Sequence, residues 1–152
     1  MIASLGLPPV PVPPPQQSAA IVRPFDPPGR PWDAGHRGID LAAPGDGLVR
    51  SLAPGVVSFA GAVGSIPVVA IRVADGRRVT YQPVRASVVL GQTIGQGQVL
   101  GRLADSGGHC GAAAVGGGCL HVGLRDGLRY WDPTVLLGHP AIVLKPESGL
   151  RT

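Results

Sequence analysis

A histidine and an aspartate stand four positions apart in Gly35-His36-Arg37-Gly38-Ile39-Asp40-Leu41. On a helix that spacing would bring them to one face, but Gly38 and Pro44 argue against a helix. On an extended strand, residues four apart also share a face, because side chains alternate with period two. An imidazole and a carboxylate converging in this way suit a zinc ion, and Gly38 between them leaves the face open. A third candidate comes much later, in Cys119-Leu120-His121-Val122-Gly123-Leu124. Alternation there sends Cys119, His121 and Gly123 to one side and Leu120, Val122 and Leu124 to the other. Taken alone, His121 reads first as a buried histidine with its hydrogen bonds satisfied. Taken together, His36, Asp40 and His121 form a His/Asp/His set with one coordination position left for water, the arrangement of a catalytic rather than a structural zinc site.

Cys110 and Cys119 flank a Gly/Ala-rich segment, CGAAAVGGGC, with little else to order it. A disulfide closing that loop would contribute on the order of 2–3 kcal/mol by restricting the unfolded chain, and it implies an oxidising compartment. Two free thiols, or a Cys119 thiolate joining His121 on a closed structural zinc site, are the alternatives. His109 adjoins Cys110, while His139 follows the last expected turn and has no evident role.

The elements that must hold these groups are short. Apolar runs at Leu48 to Leu52, Val56 to Ala62, Ile66 to Val73, Val79 to Val84, Val99 to Leu103 and Leu120 to Leu124 have strand length. Asp75-Gly76 between two of them signals a hairpin, since both residues tolerate positive φ. With Gly at 24 and Pro at 17 among 152 residues, long helices are unfavourable. Only Asp132-Pro133-Thr134-Val135-Leu136-Leu137-Gly138 reads as one short turn of helix, with Asp132 as its cap and Pro133 at the first helical position. The glycine-rich GQTIGQGQVLGRL lacks the GK[ST] and following helix of a phosphate-binding loop. Asp33, Asp46, Asp105 and Asp126 fit turn chemistry, and Trp32 and Trp131 fit packing at the domain edge.

The organisation expected is a Pro-rich flexible linker over residues 1–20, one β domain over 21–143 and a tail over 144–152. Apolar residues at 44% fill one core, and charged residues at 14% are few. The net charge of +4 comes from scattered arginines and Lys145. No basic run or aromatic ladder is present, so nucleic acid is not an expected partner; attraction to a polyanionic cell wall and ordinary solubility both fit. No stretch approaches the ~20 apolar residues of a membrane span. The first residues also lack the charged start and apolar run of a signal peptide. With the cysteines, this leads us to expect an extracytoplasmic domain whose export signal is absent from this sequence.

HRGIDLAAPGDGLVRSLAPGVVSFAG, then VTYQPV, GQTIGQGQVLGRL and CLHVGL, in that order, resemble the zinc endopeptidases of the lysostaphin or LytM type, which cut peptide cross-bridges in peptidoglycan. The resemblance runs over roughly residues 32 to 138. It implies an all-β fold with little helix, a compact antiparallel β-sandwich or barrel-like domain with the metal in a groove, and it maps the metal ligands onto His36, Asp40 and His121. It also places Tyr81 and Gln82 beside the substrate groove.

Two departures bear on function. The family usually ends in His-x-His, whose first histidine assists the attacking water; Cys119 stands there. A further histidine usually follows a tyrosine as Tyr-x-His; in Tyr81-Gln82-Pro83 that position is Pro83. Neither a disulfide-bound cysteine nor glutamine replaces an imidazole as a proton carrier. His109, tethered near β-strand 119–124 if Cys110 and Cys119 are bridged, is the candidate base. Two functions therefore stand side by side: a zinc peptidase acting on peptidoglycan cross-bridge or stem peptides, and a catalytically inactive relative that binds peptidoglycan or regulates another cell-wall enzyme.

Overall fold

Alternation of apolar with small or polar residues folds the short runs into antiparallel strands. The computed structural model describes Gln17 and residues 19–30, 34–104 and 118–137. Its strands are β1 (Ile21–Arg23), β2 (Gly38–Ala42), β3 (Leu48–Arg50), β4 (Gly55–Val63), β5 (Ile66–Arg72), β6 (Arg78–Gln82), β7 (Val84–Ala86), β8 (Thr93–Ile94), β9 (Val99–Leu103), β10 (Cys119–Asp126) and β11 (Arg129–Trp131). An eight-stranded sheet runs β1-β2-β10-β6-β5-β4-β8, with β11 added on β10, and a three-stranded sheet runs β3-β9-β7. Every pairing is antiparallel. The all-β expectation holds, and the barrel alternative does not: the sheets remain open, with β1 and β8 at the two ends of the large one.

One face of the large sheet is the core. Ile39 and Leu41 of β2, Leu120, Val122 and Leu124 of β10, and Val79 and Tyr81 of β6 are fully buried. They form one cluster with Val49, Leu52, Val84 and Leu100 from the smaller sheet and its connections. Each such side chain gains ~1.5–3 kcal/mol from leaving water. The Tyr81 hydroxyl fixes the two layers together by accepting from Leu52 N–H at 2.9 Å.

The β5–β6 hairpin forms where Asp75-Gly76 predicts it, with different detail. Only Gly76 takes a positive φ, 91°. Its N–H donates to Val73 O at 2.9 Å, and Asp75 Oδ1 accepts from Arg77 N–H at 2.9 Å. This is a tight turn closed by a left-handed glycine, so Asp75 contributes its carboxylate rather than its own backbone freedom. The run Val79 to Val84 is not one strand. Pro83 has no N–H for the ladder, and the chain leaves the large sheet at Gln82 to enter the small one at Val84. The helical turn expected after β11 forms over Pro133–Leu136 as a 3-10 turn, capped by Asp132 accepting from Thr134 N–H at 2.9 Å.

Gln17, inside the stretch read as a linker, is buried, and its amide donates to Leu52 O and Leu136 O at 3.4 and 3.3 Å. Ala20 O accepts from Ala42 N–H at 3.0 Å, tying the segment before β1 to β2. The remainder of that stretch up to residue 16, and the tail over 144–152, lie outside the described residues.

Candidate metal centre and groove

The sheet face opposite the core carries the chemistry. Strand β10 pairs with β2 so that His121 stands opposite Asp40, Gly123 opposite Gly38 and Cys119 opposite Ala42. Residues directly opposite in a ladder project to the same side, which brings His121 onto Asp40. Nδ1 of His121 lies 2.8 Å from Asp40 Oδ1. His36 reaches the same oxygen with Nε2 at 3.1 Å. The candidate ligand atoms of all three residues lie within 4.8 Å of one another.

His36 arrives by a route different from the one its spacing suggests. It is not on β2 but precedes it, held in a bridge to Asp26: His36 N–H donates to Asp26 O at 2.7 Å and Asp26 N–H to His36 O at 2.9 Å. Gly35 makes that approach possible, because a β-carbon there would lie 2.6 Å from Asp26 O. The His36 ring is oriented by Pro24, whose carbonyl oxygen is 2.9 Å from Nδ1. A carbonyl can only accept, so Nδ1 donates to it, which leaves Nε2, facing Asp40, as the ring nitrogen that a metal would take in place of a proton.

Gly38 also acts otherwise than by leaving room for an ion. A β-carbon on it would collide with Val122 O and lie 2.8 Å from His121 Nε2. The His121 ring occupies the space that a side chain at position 38 would fill. The two imidazoles meet edge to face, with centroids 5.1 Å apart.

Two imidazoles and one carboxylate thus point at one place. His36 and Asp40 are 5% and 2% exposed, while His121 faces the groove. Burial by itself would raise the Asp40 carboxyl, but hydrogen bonds to His121 and His36, and their charges, outweigh it and hold the group well below the usual carboxylate range. Asp40 is therefore an anion facing two nitrogen donors. Ligands on a tetrahedral zinc with ~2.0–2.1 Å bonds stand ~3.4 Å apart, so the donor set fits that ion.

A groove of about 550 Å³ opens from His121 along β6 and β10. Gln82, Thr80 and Arg78 line it from β6, His121, Gly123 and Arg125 from β10, and Phe59, Ile66 and Val68 from β4 and β5. Gln82 is the cross-strand neighbour of His121 and lines this groove. Tyr81 is a correction: it is fully buried on the core side, because its parity on β6 is opposite to that of Gln82. Cys119 is fully buried on β10 and Pro83 is buried. His109, Cys110, His139, Trp32, Asp33 and Asp105 lie outside the described residues. Trp131 packs against the core edge with Arg129 stacked 4.0 Å from its ring centroid.

Residues 34–133, well over half of the chain, match Peptidase family M23. The chain belongs to this family. It is 40% identical over 133 residues to protein Rv2891 of Mycobacterium tuberculosis, a stretch that is 85% of this chain and 52% of that protein. The chain thus spans about half the length of the curated relatives it matches. Among solved structures, this M23 domain is similar to Csd3 of Helicobacter pylori, with 27% identity and a TM-score of 0.60 over 79% of this chain and 31% of that one. The catalytic domain of the prophage-encoded M23 protein EnpA from Enterococcus faecalis shares the fold at 24% identity and a TM-score of 0.57, covering 76% and 89% of the two chains. So does the catalytic domain of the antimicrobial peptidase lysostaphin from Staphylococcus simulans, at 18% identity and a TM-score of 0.59 over 76% and 90%. The M23 match and the position of His36, Asp40 and His121 agree with a cell-wall peptidase-like domain. Among the described residues no helix is long and apolar enough to cross a membrane.

Reasoning from the sequence missed the Pro24 carbonyl and the Asp26 bridge, since nothing in a proline-rich stretch marks a backbone oxygen as a partner. It also missed Arg78, Thr80 and Arg125, which had a signal: each shares the strand parity of Gln82 or His121.

Proposed function

We propose that the domain binds one zinc ion through His36 Nε2, Asp40 and His121 Nδ1 and hydrolyses cross-bridge or stem peptides of peptidoglycan outside the cytoplasm. The observation that carries this reading is the convergence of the three donors, with His36 Nδ1 turned away to Pro24 O. Bound there, zinc supplies Lewis acidity toward a scissile carbonyl and lowers the pKa of water at the site.

The chain's own residues supply position. Asp40 holds both imidazoles on one oxygen, and the β2–β10 ladder fixes that pair without a loop. The Gln82 amide, beside His121 on the open face, can accept from and donate to a peptide backbone laid along β6. His109 is the group we assign to proton transfer, brought to β10 by a Cys110–Cys119 disulfide. Tyr81 and Gln82 cannot take that role, the first because it is buried and the second because it does not titrate.

A second reading has its own observation. Cys119 and Pro83, both buried, stand where the resemblance would put proton-handling histidines. A domain so equipped would bind zinc and peptidoglycan, or regulate another wall hydrolase, without turnover. Elemental analysis of the purified protein and incubation with purified peptidoglycan separate the two. One equivalent of zinc with peptide release that is lost in His121→Ala supports the peptidase, and loss in His109→Ala assigns the base. One equivalent of zinc with no release supports the inactive relative. Absence of zinc after equilibration with the metal refutes both.

A further inference from the structure

Successive rows of the β6–β10 ladder lead away from the metal centre along the groove: His121 opposite Gln82, Gly123 opposite Thr80, Arg125 opposite Arg78. Arg78 is in turn opposite Arg72 of β5. Three arginines therefore stand side by side on three neighbouring strands, projecting to one face. Arg78 and Arg125 line the groove.

Like charges directly opposite in a sheet are destabilising, so such a row calls for a counter-charge. Among the described residues none supplies it. Asp75, in the turn between β5 and β6, is engaged by Arg77 at 2.8 Å. Asp46 pairs with Arg50, and Asp40 with the two histidines. Asp126 follows Arg125 but has the opposite parity on β10 and stands opposite Arg129. Arg37, which also lines the groove, lies over the Tyr130 ring.

We propose that Arg78 and Arg125 form a carboxylate-binding subsite, and that the peptide taken by this groove is anionic, bearing a free carboxylate on one side of the bond held at the metal centre. The inference rests on the groove being the peptide site of the proposed peptidase. Guanidinium forks match a carboxylate in two parallel hydrogen bonds, and the concave wall concentrates their field. From His121 to Arg125 is four residues of strand, roughly 13 Å. An extended peptide covers that in about four residues, fewer if the arginines lean toward the metal centre. Between them Thr80 fills the space over Gly123, since a β-carbon on Gly123 would lie 2.7 Å from Thr80 Oγ1. Small residues therefore belong over Gly123, next to the bond at the metal centre, with apolar contact available from Phe59, Ile66 and Val68. A polyanion would instead need a longer basic track interleaved with aromatics.

The test uses the full chain loaded with zinc and two N-acetylated Ala/Gly pentapeptides, one ending in a free carboxylate and one in an amide, titrated by calorimetry at low and high salt. The acid should bind about tenfold or more tightly than the amide at low salt, as charge-assisted hydrogen bonds do. Salt should erode that preference. Arg78→Gln and Arg125→Gln should each bring the acid close to the amide. Arg125→Lys, which keeps the charge without the fork, should retain part of the preference. Equal binding of acid and amide to the wild type, no binding of either, or a preference that survives both glutamine variants overturns the subsite. Inorganic tripolyphosphate binding more tightly than the acid, and lost in the same variants, overturns the peptide assignment in favour of a polyanion. Zinc content and peptide release are read separately. A zinc-bound, peptide-releasing chain without acid preference loses the subsite alone, and a chain with acid preference but no zinc loses the peptidase reading alone.

Discussion

Asp40 and His121 are direct partners across the β2–β10 ladder, and their side chains meet at 2.8 Å on the open face of the sheet. The site is thereby built on two adjacent strands that are far apart in sequence, with β1 and β6 as the next neighbours on either side. Separating the pair means opening the sheet. His36 alone comes from outside the strands, and its ring is held by Pro24.

A site built this way should exist only in the folded chain, so zinc should stabilise the fold by mass action. At free zinc one hundred times its dissociation constant, the gain should be ~2.7 kcal/mol. Thermal or urea unfolding with zinc and with chelator measures it. His121→Ala should abolish the zinc-dependent shift while still unfolding cooperatively. A shift of the same size in that variant would remove His121 from the ligand set.

Gly38→Ala tests the packing behind the site. The new methyl would run into Val122 O and the His121 ring, so β2 must move away from β10 or the ring must turn. We expect a loss of about 1–3 kcal/mol in urea unfolding, as for other overpacked positions, together with weaker zinc binding. Wild-type zinc affinity with lowered stability would show that the ring can turn without leaving the site.

Most of this site was legible because its grammar is alternation. Period two on β10 assigns His121 to one face and Leu120, Val122 and Leu124 to the other, and the structure keeps that division. The same rule, applied to β6, separates Tyr81 from Gln82; the resemblance placed both beside the groove, and the parity of the strand allows only one. His36 was found for an incomplete reason. Its distance from Asp40 suggested one strand, yet the chain bends at Arg37 and the histidine is held by a bridge to Asp26. Backbone partners such as Pro24 O and Asp26 O carry no side-chain signature, so a sequence cannot announce them. The open sheets follow from which strands meet at the ends, a long-range relation that local patterning does not encode.

Gln82→His should raise peptidase activity. Gln82 lies in the groove as the immediate cross-strand neighbour of His121, with a half-buried side chain, so an imidazole there would sit within reach of the reacting groups and titrate near neutral pH. Positioned general bases contribute ~10²–10⁴-fold, and we expect at least the lower end in peptide release from peptidoglycan. The gained activity should fall as pH drops through ~6.5, the ordinary histidine range. No gain in a variant that still binds zinc would mean that proton transfer is not what limits the reaction.

Tyr81 gives the fold an alkaline limit. Burial pushes its phenol up from 10.0 to about 12, against opposing hydrogen bonds from Leu52 N–H and Ser51. The raised value means the fold favours the neutral phenol. Its contribution is fully present below pH 10, declines as the unfolded chain ionises, and is lost as pH rises through about 12. At ~1.4 kcal/mol per unit, the loss is on the order of 2–3 kcal/mol. Urea unfolding of metal-free protein from pH 8 upward should show this decline in the wild type. Tyr81→Phe should start lower, since Leu52 N–H loses its acceptor at a cost of ~1–3 kcal/mol, but decline less steeply. The two curves should approach each other above pH 10, and parallel curves would show that the phenol keeps its proton no more firmly in the fold than in the unfolded chain.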